Sequence, residues 1–148
     1  MRILSDKMFR YSASDLTSFS GCSHSTWMDY KTLINGETIP VMEEDSYGEL
    51  LIKKGREHEL NILDEFNTTF SNVIRIADDS SFIHRVDSTL EAMAKGVDVI
   101  YQAVLTNGSW MGYADFLVKC ELPSNLGSFS YEVFDVKLAR SPKPEHII

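Results

Sequence analysis

Apolar positions step by four, three and four from Leu51 through Gly55 and His58 to Ile62, inside a run from Tyr47 to Phe70. That period predicts the longest helix of the chain, with His58 on its apolar face. Upstream, Ser14-Asp15-Leu16-Thr17-Ser18-Phe19 reads as a capped helical turn, with Ser12 or Ser14 as N-cap and Gly21 as its stop. Residues 31–46 carry Gly36, Pro40 and Glu43-Glu44-Asp45 and read as a loop with a solvated acidic face. Beyond the long helix, Val73–Ile76 is a short strand closed by Asp78-Asp79-Ser80-Ser81. Ser88–Lys95 is a second helix that turns Leu90, Met93 and Ala94 inward and stops near Gly96. Three strands follow over Val99–Leu105, Trp110–Lys119 and Phe129–Leu138. Asn107-Gly108 supplies a tight hairpin between the first two, since both residues tolerate positive φ.

The last two strands set up the chemistry. A hairpin centred on Asn125 places Asp115 and Asp135 directly opposite each other, an equal number of residues from the turn. Opposed like charges on one sheet face are destabilising unless compensated, and a shared divalent cation would compensate them. Asp135 and Lys137 are two apart on a strand and share a face; Glu132, out of phase with Asp135, points to the other. Two carboxylates, a metal ion and a lysine can activate water and stabilise negative charge on a phosphodiester.

Composition narrows the field without deciding it. The 148 residues are 43% hydrophobic and 24% charged, the balance of a soluble globular domain of one core. No apolar run reaches membrane-span length and Met1-Arg2-Ile3-Leu4-Ser5-Asp6 lacks a signal-peptide core, so a cytoplasmic protein with no membrane partner is expected. Two cysteines, Cys22 and Cys120, build no disulfide framework. The net charge of −8 argues against a surface dedicated to coating nucleic acid, although a local basic groove is compatible with it. The aromatics Trp27, Tyr30, Trp110 and Tyr113 read as core rather than as base-stacking platforms.

A histidine-bearing helix, a hairpin with Gly112-Tyr113-Ala114-Asp115 on its second strand, and Asp135-Val136-Lys137 on the next strand together resemble the PD-(D/E)xK nuclease superfamily. The RecB-like branch is the nearer likeness. It is carried by Ser14-Asp15-Leu16, Cys22-x-His24, Lys54-Gly55-x-x-His58-Glu59, Ala92-Met93-x-x-Gly96, Val99-Ile100-Tyr101-Gln102-Ala103, Trp110-x-Gly112-x-Ala114-Asp115-Phe116-Leu117 and Tyr131-Glu132-Val133-x-Asp135-x-Lys137-Leu138-Ala139-Arg140. Each motif alone is weak; their order and spacing cover nearly the whole chain.

The resemblance implies an α/β fold of the restriction-endonuclease-like type, a central mixed β-sheet flanked by helices. It implies one nuclease domain over residues 1–148, with residues 1–46 a helical and loop extension within it. Asp115, Asp135 and Lys137 would be catalytic, with His58, Asp115, Asp135 and the Val136 carbonyl holding Mg²⁺ or Mn²⁺. Apart from the resemblance, Glu59 and Gln102 are candidates to stand beside the site or to serve structure alone, and Glu132, a third candidate, reads rather as structural because its phase turns it to the other face. The implied activity is hydrolysis of DNA phosphodiesters in repair, recombination or foreign-DNA processing, with a helicase as possible partner. The competing reading is a non-catalytic nucleic-acid-binding or scaffolding module of a nuclease/helicase protein. Some relatives hold an iron–sulfur cluster through one early and three late cysteines; here Cys22 has only Cys120 after it and reads as a small buried residue in a helical hairpin. Ser141-Pro142-Lys143-Pro144-Glu145 resembles the start of a further helix, so the sequence is expected to be C-terminally truncated relative to that family.

Overall fold

The computed structural model of the chain describes residues 1–3, 8–36, 46–78 and 81–138. They form two compact units. One contains the N-terminal elements and the hairpin tip Thr106–Gly112; the other contains the described residues from Ser46 to Leu105 and Tyr113–Leu138. The expected start of a helix after residue 140 and the acidic run at 43–45 lie outside the described residues.

In the first unit, β1 (Arg2–Ile3) and β2 (Phe9–Arg10) make a short antiparallel ladder. Helix α1 (Ala13–Gly21) starts at Ser12, whose backbone N–H donates to the Asp15 carboxylate at 2.7 Å and completes a capping box. Helix α2 (Ser23–Asn35) follows after Cys22 alone and packs on α1. Residues 31–35, a loop by sequence, therefore belong to a helix, which ends only at Gly36. Cys22 is exposed rather than buried: it caps α2, its sulfur accepting from the Ser25 N–H at 3.4 Å. Trp27 and Trp110 are also about half exposed, at 50% and 47%, so the core reading of these aromatics does not hold.

The second unit is a mixed α/β layer structure. Helix α3 (Ser46–Thr69) leads to β3 (Val73–Arg75), α4 (Phe82–Ala94), β4 (Val99–Asn107), β5 (Trp110–Cys120) and β6 (Ser130–Phe134). The sheet order is β3-β4-β5-β6, with β3 parallel to β4 and β6 antiparallel to β5. The turn between β4 and β5 is Gly108-Ser109, one residue later than the sequence pattern placed it. Gly108 supplies its positive φ of 58°.

Helices cover both faces of the sheet. Ile62, Leu63, Phe66 and Phe70 of α3 and its end pack with Val99, Tyr101 and Phe116. Ala92 and Met93 of α4 pack with Ile100, Ala103, Ala114 and Leu117 on the other side. Phe66 meets Phe116 edge-on with ring centroids 5.0 Å apart, a favoured aromatic geometry. Helix α4 begins earlier than its sequence pattern indicated, at a Ser81 cap, and buries Val86, Thr89 and Ala92. Leu90, expected inside, is 53% exposed. A helix started at Phe82 presents the 86/89/92–93 face, and Leu90 falls roughly 100° from Thr89.

The β5–β6 pairing is symmetric about Asn125, as the spacing of the acids required. Phe116 pairs with Phe134, Leu117 with Val133 and Cys120 with Ser130. Among the described residues, no helix is long and apolar enough to cross a membrane.

Candidate active site

A cleft of about 430 Å³ opens on the α3 side of the second unit, where the first half of α3 continues beyond the core. The same helical stripe serves both regions. Ile62, Leu63, Phe66 and Phe70 pack on the sheet, and one to two turns earlier Ile52, Gly55, Arg56 and Glu59 become the cleft wall. This stripe is rotated by roughly 70° from the Leu51-Gly55-His58-Ile62 line that the sequence pattern favoured. The rotation decides which polar residue enters. Glu59 lines the cleft and His58, roughly 100° around the helix, does not. His58 is half-buried beside the stripe.

The opposite wall comes from the middle of β5 and the end of β6. Asp115 precedes Phe116, the last residue on β5 paired to β6, and Asp135 follows Phe134, the last on β6. Beyond that pair the chain leaves the ladder, and its free backbone N–H at Val136 donates to Asp115 Oδ2 at 2.8 Å. Lys137 turns back on Asp135, with Nζ 2.6 Å from Oδ2. Asp115, Val136 and Lys137 all line the cleft.

Burial, a hydrogen bond with the Asp135 carboxyl, and the negative charges of Asp135 and Glu59 push Asp115 up to about 6; the Val136 N–H works in the other direction. Asp115 thus keeps its proton into mildly acidic pH. Two carboxyls in such contact form a site short of positive charge.

The floor is built by an irregularity in β4. Val99 and Tyr101 pack on the α3 side, Ile100 on the α4 side, and then Ala103 and Leu105 also on the α4 side. Alternation slips by one residue at Gln102, which has φ 57° and joins Tyr101 in lining the cleft. Gln102 is the only non-glycine described with positive φ. Its side-chain amide donates to Glu59, as does the Tyr101 phenol, and burial together with that Glu59 contact pushes the phenol up. Two consecutive strand residues therefore hold one helix carboxylate.

Cations complete the lining. Arg75 sits over the Tyr101 ring, 5.4 Å from its centroid, and reaches Asp78 at 3.4 Å. Asp78 is also held by Arg85 at 2.9 Å. Arg56, one turn before Glu59, makes no ion pair with any described residue and is exposed.

Of the residues singled out by sequence, Asp115, Val136, Lys137, Glu59 and Gln102 line this cleft, and Asp135 touches it through Asp115 and Lys137. Glu132 does not: it pairs with Val118 on β5 and is exposed. Cys120 is distant from this chemistry, its sulfur 3.0 Å from the Ser130 hydroxyl. Sequence reasoning missed Arg56, Arg75 and Tyr101 as cleft residues. The signal for Arg56 was its place on the 52/56/59/63/66/70 stripe.

The donor set suits a hard divalent cation in kind, with paired carboxylates whose mutual repulsion a cation would relieve. Among the described residues, no three His, Cys, Asp or Glu side chains gather around one point. A two-carboxylate set still fits Mg²⁺, which keeps several waters and commonly takes one or two carboxylates together with substrate phosphate.

Comparison with protein-family models, with curated proteins and with solved structures finds no match to this chain.

Proposed function

We propose that the protein is a metal-dependent nuclease of the restriction-endonuclease-like, RecB-like type, hydrolysing DNA phosphodiester bonds. The observation that carries this reading is the pairing of Asp115 with Asp135 at the end of the β5–β6 ladder, with Lys137 on Asp135 and both walls of one cleft contributing charge. A half-buried carboxyl whose pKa is pushed up is costly, and such groups concentrate where chemistry uses them.

In this reading Asp115 and Asp135 hold Mg²⁺ or Mn²⁺, with the Val136 carbonyl a further ligand by family resemblance and Glu59 adding charge from the helix. The bound ion would supply a water of lowered pKa and charge on the phosphoryl oxygens. Lys137 is a compact point charge that faces a developing phosphorane oxygen or orients the attacking water. The water oxygen bonds to phosphorus, the bond from phosphorus to the leaving sugar oxygen breaks, and one water proton goes to solvent while the leaving oxygen takes another. Arg56 and Arg75 lie where the strand's flanking phosphates would enter, which offsets locally the acidity of the whole chain.

The test is cleavage of labelled single-stranded and duplex DNA with Mn²⁺, for the natural full-length protein and its Asp135→Ala variant. Loss of cleavage in the variant supports the reading; equal cleavage by both sinks it. DNA binding by both proteins without cleavage by either would favour the binding-module alternative.

A further inference from the structure

We infer that Gln102 is a positioning residue for Glu59, and that the kink in β4 exists to turn an ordinary helix acid into a fixed wall of the cleft. The inference rests on the nuclease reading for its purpose, and on geometry for its substance. A left-handed backbone is disfavoured for glutamine, so the conformation at Gln102 persists only because its surroundings determine it. Glycine would take that conformation more easily, yet the position carries a side chain with an amide, and that amide is bonded to Glu59.

Three consequences of the kink converge. It places Tyr101 and Gln102 on the same side, so two donors in sequence reach one carboxylate on α3. It also swings Ala103 and Leu105 to the α4 core, away from the cleft. And the carboxylate so held is close enough to Asp115 for its charge to act on it. Without these donors a half-exposed glutamate on α3 would sample its rotamers in solvent, because its neighbours along the helix are Arg56 and the apolar Leu63. His58, on the same helix, has no comparable hold from the sheet in the described residues.

The test compares Gln102→Gly, Glu59→Ala and the double variant with the natural protein. Gln102→Gly removes the amide while relieving the backbone, so folding is preserved and a change reports the lost hold. Partners that orient metal ligands typically matter about tenfold in affinity. By calorimetry, Mn²⁺ affinity should fall about tenfold in each single variant and no further in the double. Wild-type affinity in Gln102→Gly, or losses that multiply in the double, overturns the inference. If the natural protein binds no Mn²⁺, the nuclease reading fails and urea unfolding decides the positioning separately. Glu59→Ala should then change the unfolding constant several-fold more in the natural background than in the Gln102→Gly background. Equal changes in the two backgrounds overturn the inference.

Discussion

The backbone N–H of Val136 donates to Asp115 Oδ2 at 2.8 Å, so the chain leaving β6 reaches back over the carboxylate opposite it. That bond favours the charged form of Asp115, and burial together with Asp135 and Glu59 outweighs it. Asp115 is therefore a place where the fold is strained electrostatically, and its substitution should be informative in both directions.

Asp115 has a folded-state value of about 6 against an ordinary 3.8, so folding favours its protonated form. The associated stability is fully present below the unfolded value and is lost as pH rises through about 6. The group is half exposed, and after discounting for solvent screening the effect is about 1 kcal/mol. Asp115→Asn keeps an acceptor for the Val136 N–H and carries no charge. Urea unfolding should find it stabilised by about 1 kcal/mol near pH 8 and unchanged near pH 4. The same variant should lose DNA cleavage, and equal stabilisation at both pH values would show that the carboxyl is unperturbed.

The rotation of α3 separates two neighbouring residues. His58→Ala should leave Mn²⁺ affinity within about twofold, while Glu59→Gln should reduce it about tenfold, as measured by calorimetry. The reverse ranking would restore the histidine favoured by the sequence pattern and refute the observed helix face.

Lys137 pairs with Asp135 in an exposed setting, where such bridges contribute about 0–1 kcal/mol. Lys137→Ala should therefore unfold within about 1 kcal/mol of the natural protein while cleavage falls at least about a hundredfold. A matching loss of stability and activity would mark the lysine as structural.

Arg56 is the cleft cation with no ion pair among the described residues. If it meets a backbone phosphate, Arg56→Ala should weaken binding of a fluorescent oligonucleotide and reduce the salt dependence of its affinity by about one phosphate contact. In cleavage assays KM should rise with little change in kcat. An unchanged salt slope would remove Arg56 from the substrate path.

Thr89 is wholly buried, donates to the Arg85 carbonyl at 2.9 Å and accepts from the Val104 N–H at 3.0 Å. Thr89→Val keeps the shape and orphans that N–H, which should cost about 1–3 kcal/mol in urea unfolding. Thr89→Ser should recover most of that loss. A neutral Thr89→Val would mean that the N–H finds another acceptor.

Much of this fold could be read from local signals. The register of the β5–β6 ladder followed from equal spacing about Asn125, because strand pairing through a hairpin is a matter of counting, but the ladder stops at Phe116–Phe134, so Asp135 and Lys137 lie beyond the strand expected to carry them. The long helix followed from its period, but its face did not: Leu51-Gly55-His58-Ile62 and Ile52-Arg56-Glu59-Leu63 are both plausible stripes, and packing against Phe116 decides between them. The end of α2 was misread because Gly36 and Pro40 look like loop signals while the helix runs up to the first of them. The kink at Gln102 had no signal at all. Val99-Ile100-Tyr101-Gln102-Ala103 reads as an unbroken, largely apolar strand, and the slip depends on contacts with Glu59 and α4 that no local pattern encodes.

Among the described residues, helix α3 has its apolar packing at one end only. Its second half is packed against Phe116, while Leu50, Leu51 and Ile52 in the first half are about half exposed. Among the described residues, the stretch from Ile52 to Glu59 is thus secured by helical hydrogen bonds and by Gln102 and Tyr101, without an apolar backing of its own. Amide exchange there should follow the opening of a helix end rather than global unfolding. The lifetime of the carboxylate wall is then set by the fraying of a few turns, so the wall should loosen on warming well before the core melts.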